Sequence, residues 1–247
     1  MQELTGPRAA RSEAALSEGA LSQALWVSAD LTLGVAAIAR IFPSGWHTTM
    51  VGVAFLGAAW ALVWRKDDDA VRRAGLALGG LVMPGKLDVA EIARAGGKAL
   101  AWAAGLTAVI AGPYYLGWKY WWDPRLTFSL AVRPVDAADE LLGQLLVIAL
   151  PEEAFYRGYL QSRLDEVWAP RWRLLGAEVG PGLLVSALIF AVGHLATVQV
   201  PARLAVFFPA LVFGWLRART KGIGASVFFH AGCNIYSLAL GRGYGLY

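Results

Sequence analysis

The stretch Leu150-Pro151-Glu152-Glu153-Ala154-Phe155-Tyr156-Arg157-Gly158-Tyr159-Leu160 places three charged side chains inside an otherwise apolar segment. A charge near the centre of a membrane-spanning helix costs about 2.5 to 3.5 kcal/mol on insertion scales, so such charges need partners or a cavity. Glu153 and Arg157 are four residues apart with the acid first, and we expect them to pair on one helical face. Glu152 points about 100° away from Glu153 on that helix, which gives it a different task.

Pro151 lies directly before the two acids. Proline has no backbone N–H, so it leaves the carbonyl four residues earlier without its helical donor and tends to kink the helix. The sequence therefore predicts an irregular helix beside Glu152.

Composition indicates a membrane protein. Of the 247 residues, 57% are hydrophobic and 16% are charged, and the mean hydropathy is +0.50. A soluble domain has about 45 to 50% apolar and about 25% charged residues. The net charge of +4 comes from basic residues in short loops between apolar runs, which is typical of the positive-inside bias rather than of a nucleic-acid binder. We therefore predict an integral membrane protein surrounded by a lipid bilayer, with no nucleic-acid partner.

Seven apolar segments reach, or nearly reach, the roughly 20 residues that a bilayer-spanning helix requires. They are residues 21–42, 47–64, 97–118, 139–162, 182–200, 203–217 and 223–240. An eighth segment, residues 70–84, is apolar but short and Gly-rich. The predicted fold is therefore all-α, a polytopic membrane bundle of seven to eight transmembrane helices.

The chain divides into a polar N-terminal tail (residues 1–20), an N-terminal transmembrane region (21–137) and a membrane core that carries the polar motifs (138–247). Lys and Arg are more frequent in the loops on the same side as the N-terminus. This bias predicts a cytoplasmic N-terminus. The location we expect is the bacterial cytoplasmic (inner) membrane.

Two further apolar spans contain polar side chains at helical spacing. Phe190 and His194 are four residues apart in one span, and His230 and Asn234 are four apart in another. Residues at this spacing share one helical face. Within a bilayer such polar groups are too costly to keep except around a wet cavity. The third histidine, His47, lies at the edge of a span without polar company, and we give it no role.

Three polar motifs thus occur in order on separate apolar spans. They are Glu152-Glu153-x-x-x-Arg157, Phe190-x-x-x-His194 and His230-x-x-x-Asn234. Together they resemble the signature of the CPBP intramembrane proteases, the family of type II CAAX prenyl endopeptidases and bacteriocin-processing, Abi-like proteins. The resemblance covers about the last hundred residues. It implies a bundle of about eight helices in which a glutamate activates water inside a membrane cavity.

The resemblance also implies roles. Glu152 matches the general base, and His194 matches the residue that helps to hold the water. His230 and Asn234 match the pair that stabilises the oxyanion, and the ion pair of the first motif matches a supporting structural pair. Amide hydrolysis needs a base near the water and donors where the oxyanion develops, and these side chains supply both. The predicted function is an intramembrane endopeptidase, without a cofactor, that cleaves near the C-terminus of a membrane-anchored protein or peptide.

Other classes of protein stay open. Glu152, His194 and His230 are a ligand set for a zinc peptidase, although the helical His-Glu-x-x-His spacing is absent. Cys233 with a histidine suits a cysteine peptidase, although a lone buried cysteine is typically a small packing residue. A non-enzymatic proton-coupled transporter or immunity-type scaffold could use the same carboxylate and histidines to relay protons or to bind. The N-terminal spans carry no motif that selects among a prenylated tail, a bacteriocin leader, a sorting tail or a regulator as substrate.

Overall fold

The computed structural model describes residues 7–131 and 133–246. In chain order its elements are α1 (Pro7–Ile41), α2 (Ser44–Ala59) with a π-helical continuation (Trp60–Trp64), α3 (Asp68–Arg73), a 3₁₀ turn (Leu78–Gly80), α4 (Val89–Trp122), α5 (Pro134–Leu142), a π-helix (Gly143–Ala149), α6 (Leu150–Glu153), a second π-helix (Ala154–Gln161), α7 (Ser162–Val167), β1 (Trp172–Leu174), β2 (Ala177–Val179), α8 (Pro181–Thr197), a 3₁₀ turn (Pro201–Val206), α9 (Phe207–Thr220) and α10 (Gly224–Gly243). Residues 134–167 form one continuous helix of alternating α and π segments, called the motif helix below.

The predicted all-α bundle is confirmed. Within residues 7–131 and 133–246, four helical segments are long and apolar enough to cross a membrane by length and composition: Ser17–Ile41, Gly45–Trp64, Val89–Trp122 and Pro201–Thr220. Three further predicted spans are the motif helix, which carries six buried or half-buried charged residues, the 17-residue apolar helix α8, and α10. One antiparallel hairpin, β1 with β2, was not predicted.

The predicted N-terminal tail is only partly within the described residues. Residues 1–6 lie outside them, and from Pro7 the chain already forms the first turns of α1. The division of the chain at residues 20 and 137 stays a prediction.

Residues 70–84 do not form an eighth spanning helix. This segment holds the end of α3, the short 3₁₀ turn and several residues with positive φ. Gly75 has φ 73°, and a Cβ atom there would lie 2.9 Å from the Cα atom of Gly222. The segment therefore turns back against the loop before α10 instead of extending across the membrane, because glycine permits both the positive φ and the close backbone approach.

The loops fall into two groups at opposite ends of the bundle, as the alternation of spans predicts. Contacts at one end include Arg217 Nη2 to the Arg73 carbonyl (2.8 Å), Ile223 N to the Gly75 carbonyl (3.1 Å) and Trp215 Nε1 to the Leu174 carbonyl (2.9 Å). Contacts at the other end include Arg40 Nη2 to the Ala196 carbonyl (3.2 Å) and Ser129 N to the Gly243 carbonyl (2.8 Å). Following the charge bias, we call the end with the first set of contacts the inner end of the bundle and the end with the second set the outer end.

The motif helix runs through the centre of the core. Every residue of its second π segment is buried. Two of its polar side chains reach backbone carbonyls of α9: Arg157 Nη2 donates to Ala210 O (3.1 Å) and Gln161 Nε2 to Gly214 O (3.2 Å). Buried polar groups need such partners, since an unpaired one is costly. These bonds fix the motif helix against α9.

Pro151 explains how α2 packs on the motif helix. It has no N–H for the carbonyl of Val147, four residues earlier. That carbonyl faces α2 at Gly52, where an added Cβ atom would lie 2.4 Å from Val147 O. Only a glycine allows this approach, so the irregularity that the sequence predicts beside Glu152 also provides the contact surface for the N-terminal half of the chain.

Replacing Gly52 tests this contact. Gly52→Ala should lower the free energy of unfolding by about 1 to 3 kcal/mol, as overpacking does, because backbone must move. Gly57→Ala is the matched control on the same helix: its added Cβ meets no other atom within 4 Å, and it should be neutral or slightly stabilising. Thermal unfolding of both variants in detergent measures the difference, and equal midpoints would contradict the close approach.

Candidate active site

Three helices bring the predicted motifs together. Glu152 and Glu153 lie in the motif helix, His194 near the end of α8, and His230 and Asn234 in α10. His230 is the centre of the arrangement, with Nδ1 3.0 Å from Glu153 Oε1 and Nε2 3.8 Å from Glu152 Oε2. The His230 side chain is 5% exposed and that of Glu152 is 13% exposed. The two adjacent carboxylates therefore meet the same imidazole at different nitrogens.

Glu153 holds two partners at once. Its Oε2 atom lies 3.3 Å from Arg157 Nε, and both side chains are almost completely buried. This contact is an ion pair without hydrogen-bond geometry, since neither atom has a hydrogen-bond partner among residues 7–131 and 133–246. The guanidinium instead lies over the rings of Phe190 (4.8 Å) and Phe213 (5.4 Å), where cation–π attraction stabilises it. Sequence spacing predicted the pair with Arg157 but not the bond from Glu153 to His230.

His194 has a defined hydrogen-bonding pattern. Its Nδ1 atom lies 3.0 Å from the carbonyl oxygen of Phe190, one turn earlier in α8, and the two rings are 4.3 Å apart. A carbonyl can only accept, so Nδ1 carries the proton and Nε2 of the neutral ring is an acceptor. The ring of Phe190 also lies 5.9 Å from that of His230, so both histidines neighbour the same phenyl ring. His194 thus presents an acceptor beside His230.

The Nδ1 atom of His230 has a different kind of partner from the Nδ1 atom of His194. Its Nδ1 faces a carboxylate, which stabilises a positive charge on the ring, whereas the carbonyl that binds His194 is neutral. The ring stacks on Phe213 with centroids 4.6 Å apart and planes inclined by 15°. This packing holds Nε2 towards Glu152.

Asn234 lies one turn further along α10, towards the outer end. Its Nδ2 donates to Gln144 Oε1 (2.9 Å), and Gln144 Nε2 donates to Glu140 Oε1 (3.0 Å). Glu140 Oε2 in turn lies 3.3 Å from Arg242 Nη2. Sequence reasoning missed Gln144 and Glu140. The available signal was two polar residues four apart at the start of the predicted span 139–162.

An open cleft of about 460 Å³ lies at the outer end beside this chain of side chains. Its polar lining includes Thr48, Asp136, Glu140, Gln144 and Arg242. We call it the outer cleft. Gln144 therefore contacts Asn234 on one side and the cleft on the other.

The other candidate residues lie apart from the site. Cys233 lines a small gap between α10 and α4 together with Thr107 and Tyr236, so it faces a different neighbour from His230. His47 lies in the first turn of α2, at the outer end. Within residues 7–131 and 133–246, no three His, Cys, Asp or Glu side chains group closely enough to hold a metal ion.

A known protein family matches the part of the chain that builds this site. The model of the family described as type II CAAX prenyl endopeptidase Rce1-like matches residues 135–236. This part of the chain is similar to the Rce1-like family. The matched segment contains nearly all of the motif helix, α8, α9 and the first two-thirds of α10. The match confirms the predicted resemblance and implies proteolytic activity in a membrane. The chain is accordingly a multi-pass membrane protein. No curated protein and no solved structure matches the chain significantly.

Proposed function

We propose that the chain is an intramembrane endopeptidase that uses Glu152 to activate water and hydrolyses a peptide bond near the C-terminus of a membrane-associated protein. One observation carries the proposal: the two site histidines have their Nδ1 atoms on different kinds of partner, a neutral carbonyl for His194 and a carboxylate for His230. We therefore assign His194 to the side of the site that accepts hydrogen bonds and His230 to the side that donates them.

The accepting side holds the water. The carboxylate of Glu152 and Nε2 of neutral His194 both accept hydrogen bonds, so one water molecule can donate its two protons to them. Its oxygen lone pair then stays free to attack. Glu152 Oε2 is buried and forms no hydrogen bond with another described residue, so it is available to accept one from the reacting water.

The donating side stabilises the oxyanion. Glu152, Glu153 and Arg157 together carry one net negative charge, which is costly in a buried site. His230 balances it when both ring nitrogens carry a proton, and its Nε2–H is then a donor. The second N–H of the Asn234 amide is a further donor, since only one is used by Gln144.

Hydrolysis follows from these roles. The water oxygen attacks the peptide carbonyl carbon while Glu152 takes the proton, and the carbonyl oxygen becomes an oxyanion that His230 and Asn234 stabilise. The tetrahedral intermediate collapses, the C–N bond breaks, and the leaving nitrogen receives the proton from Glu152. The products are a carboxylic acid and an amine, which exchange a proton to give a carboxylate and an ammonium group, and in this mechanism no metal or cofactor takes part.

The family description supports a prenylated Cys-aliphatic-aliphatic-X tail as one substrate class, and we place the enzyme in a bacterial cytoplasmic membrane. A sorting tail, bacteriocin leader or regulator is the alternative substrate. Comparative proteomics of membrane and secreted fractions tests the proposal in cells that express the intact chain or Glu152→Gln. We expect at least one protein whose C-terminus is shortened only with the intact chain. Identical C-termini in both cell lines would contradict an endopeptidase and favour the transporter or scaffold.

His230 and Asn234 separate the metal-free mechanism from the zinc alternative. His230→Ala and Asn234→Ala should each lower turnover by about a hundred- to a thousandfold, as removal of one oxyanion donor does, with substrate binding nearly unchanged. A zinc ligand would behave differently: His230→Ala would release the metal and all activity, while Asn234→Ala would cost only about ten- to a hundredfold.

The measurement uses an internally quenched peptide that spans the cleavage site found by proteomics, with and without a chelator, together with an assay of bound metal. Comparable partial losses and insensitivity to chelator support the glutamate mechanism. Zinc that is bound to the parent protein and absent from His230→Ala would overturn it.

A further inference from the structure

The hydrogen bonds from Arg242 through Glu140 and Gln144 to Asn234 have a fixed direction. An ionised carboxylate only accepts, so the Gln144 atom that faces Glu140 must be the N–H₂ group. The oxygen of the Gln144 amide then faces Asn234 and accepts its N–H₂ group, at 2.9 Å. The carboxylate of Glu140 therefore orients the amide of Gln144, which in turn orients the amide of Asn234.

We propose that Gln144 is a positioning residue that holds the Asn234 amide with its N–H₂ group towards the reaction centre, and that Glu140 sets the direction of this chain. The proposal rests on the oxyanion role of Asn234 under the proposed function. It adds a residue pair from the start of the motif helix to the site, outside the three sequence motifs.

The oxyanion role requires such a constraint. The two ends of an amide are nearly equal in shape, and an unconstrained Asn234 could turn its oxygen towards the developing oxyanion. Two oxygens would then repel, and the donor would be lost. With Gln144 in place, the flipped amide would also bring its oxygen against Gln144 Oε1, so the flip is disfavoured from both sides.

The backbone around Gln144 is typical of a functional position. Gln144 lies in the π-helical segment Gly143–Ala149, and π segments inside helices occur frequently at functional sites. Gln144 is half-buried, and the Glu140–Arg242 pair that anchors the chain lies at the outer cleft. The anchor is thus at the cleft while the oriented amide lies inside the bundle.

Gln144→Leu removes the acceptor with little change of volume. We expect kcat on the quenched peptide to fall by about ten- to a hundredfold, less than in Asn234→Ala, with KM within about twofold. In an Asn234→Ala background, Gln144→Leu should have no further effect on kcat. A merely structural role would instead lower kcat equally in both backgrounds. Glu166→Gln, at the inner end of the same helix and outside the outer cleft, is the matched control and should match the parent.

A paired exchange provides the rescue. In Glu140→Gln/Gln144→Glu, the new amide at position 140 donates to the new carboxylate at position 144, which still accepts from Asn234. This double variant should recover most of the kcat that Gln144→Leu loses. Size-exclusion profiles and melting temperatures in detergent identify any variant that fails to fold.

The outcomes are distinct. Parent-like kcat in a folded Gln144→Leu protein, or equal losses with and without Asn234, would overturn the positioning role and leave the proposed function intact. If Asn234→Ala itself cleaves at the parent rate, the oxyanion assignment fails and the positioning role fails with it. The proposal is supported if Gln144→Leu lowers kcat only when Asn234 is present and if Glu140→Gln/Gln144→Glu recovers most of that kcat.

Discussion

Glu152→Gln is expected to lower turnover by about a hundred- to ten-thousandfold while the protein still inserts and accumulates. The change is nearly isosteric and removes only charge and basicity. Because Glu152 Oε2 forms no hydrogen bond with another described residue, an amide at this position breaks no hydrogen bond, and His230, whose Nε2 lies 3.8 Å away, keeps its bond to Glu153. Turnover is measured with the quenched peptide, and accumulation is measured as the amount of purified protein.

A second glutamate provides the control for this variant. Glu166 lies further along the motif helix, half-exposed and paired with Arg163. Glu166→Gln should keep both the parent turnover and the parent yield, because exposed ion pairs contribute little. Parent turnover in Glu152→Gln would refute the base assignment, and equal loss in both glutamine variants would point to a general effect of charge on the helix.

Arg157→Ala should lower the free energy of unfolding by about 3 to 5 kcal/mol, because it breaks a buried ion pair and leaves Glu153 with His230 as its remaining partner. The loss is large since both side chains are at most 1% exposed and the guanidinium fills space between Phe190 and Phe213. The amount of monodisperse protein after size exclusion and the melting temperature in detergent are the measurements.

Two variants define the cause of this destabilisation. Arg163→Ala removes a more exposed arginine from the same helix, and it should change stability by less than about 1 kcal/mol. Glu153→Leu/Arg157→Met replaces the ion pair by apolar side chains and should recover folding, but not activity, since His230 loses its carboxylate. A stable, monodisperse Arg157→Ala protein would show that the pair is not needed for folding.

The fold was largely predictable because bilayer spans are set by length and composition. The seven predicted spans correspond to seven helical segments within residues 7–131 and 133–246. The doubtful segment, residues 70–84, depended on tertiary packing of Gly75 against Gly222, which no hydropathy pattern records. The β1–β2 hairpin was missed for a similar reason, as its three-residue strands are too short to leave a pattern.

The candidate site was predictable as a set of side chains but not as a network. Charges and histidines inside apolar spans are conspicuous because each is costly there, and this identified Glu152, His194 and His230. Spacing along one helix gave the pair of Glu153 with Arg157. Contacts between helices, such as Asn234 with Gln144, depend on the register of α10 against the motif helix, which the π segments shift and the sequence does not encode locally.

Hydrolysis consumes one water molecule per bond, so a site inside the bundle must be resupplied from an aqueous phase. The outer cleft brings polar side chains to the surface of the bundle, and Glu140, Gln144 and Asn234 continue them inwards. Under the proposed function, water that enters along this line would couple turnover to the medium at the outer end. The composition of that compartment, rather than the lipid around the helices, would then govern how quickly the reacting water is replaced.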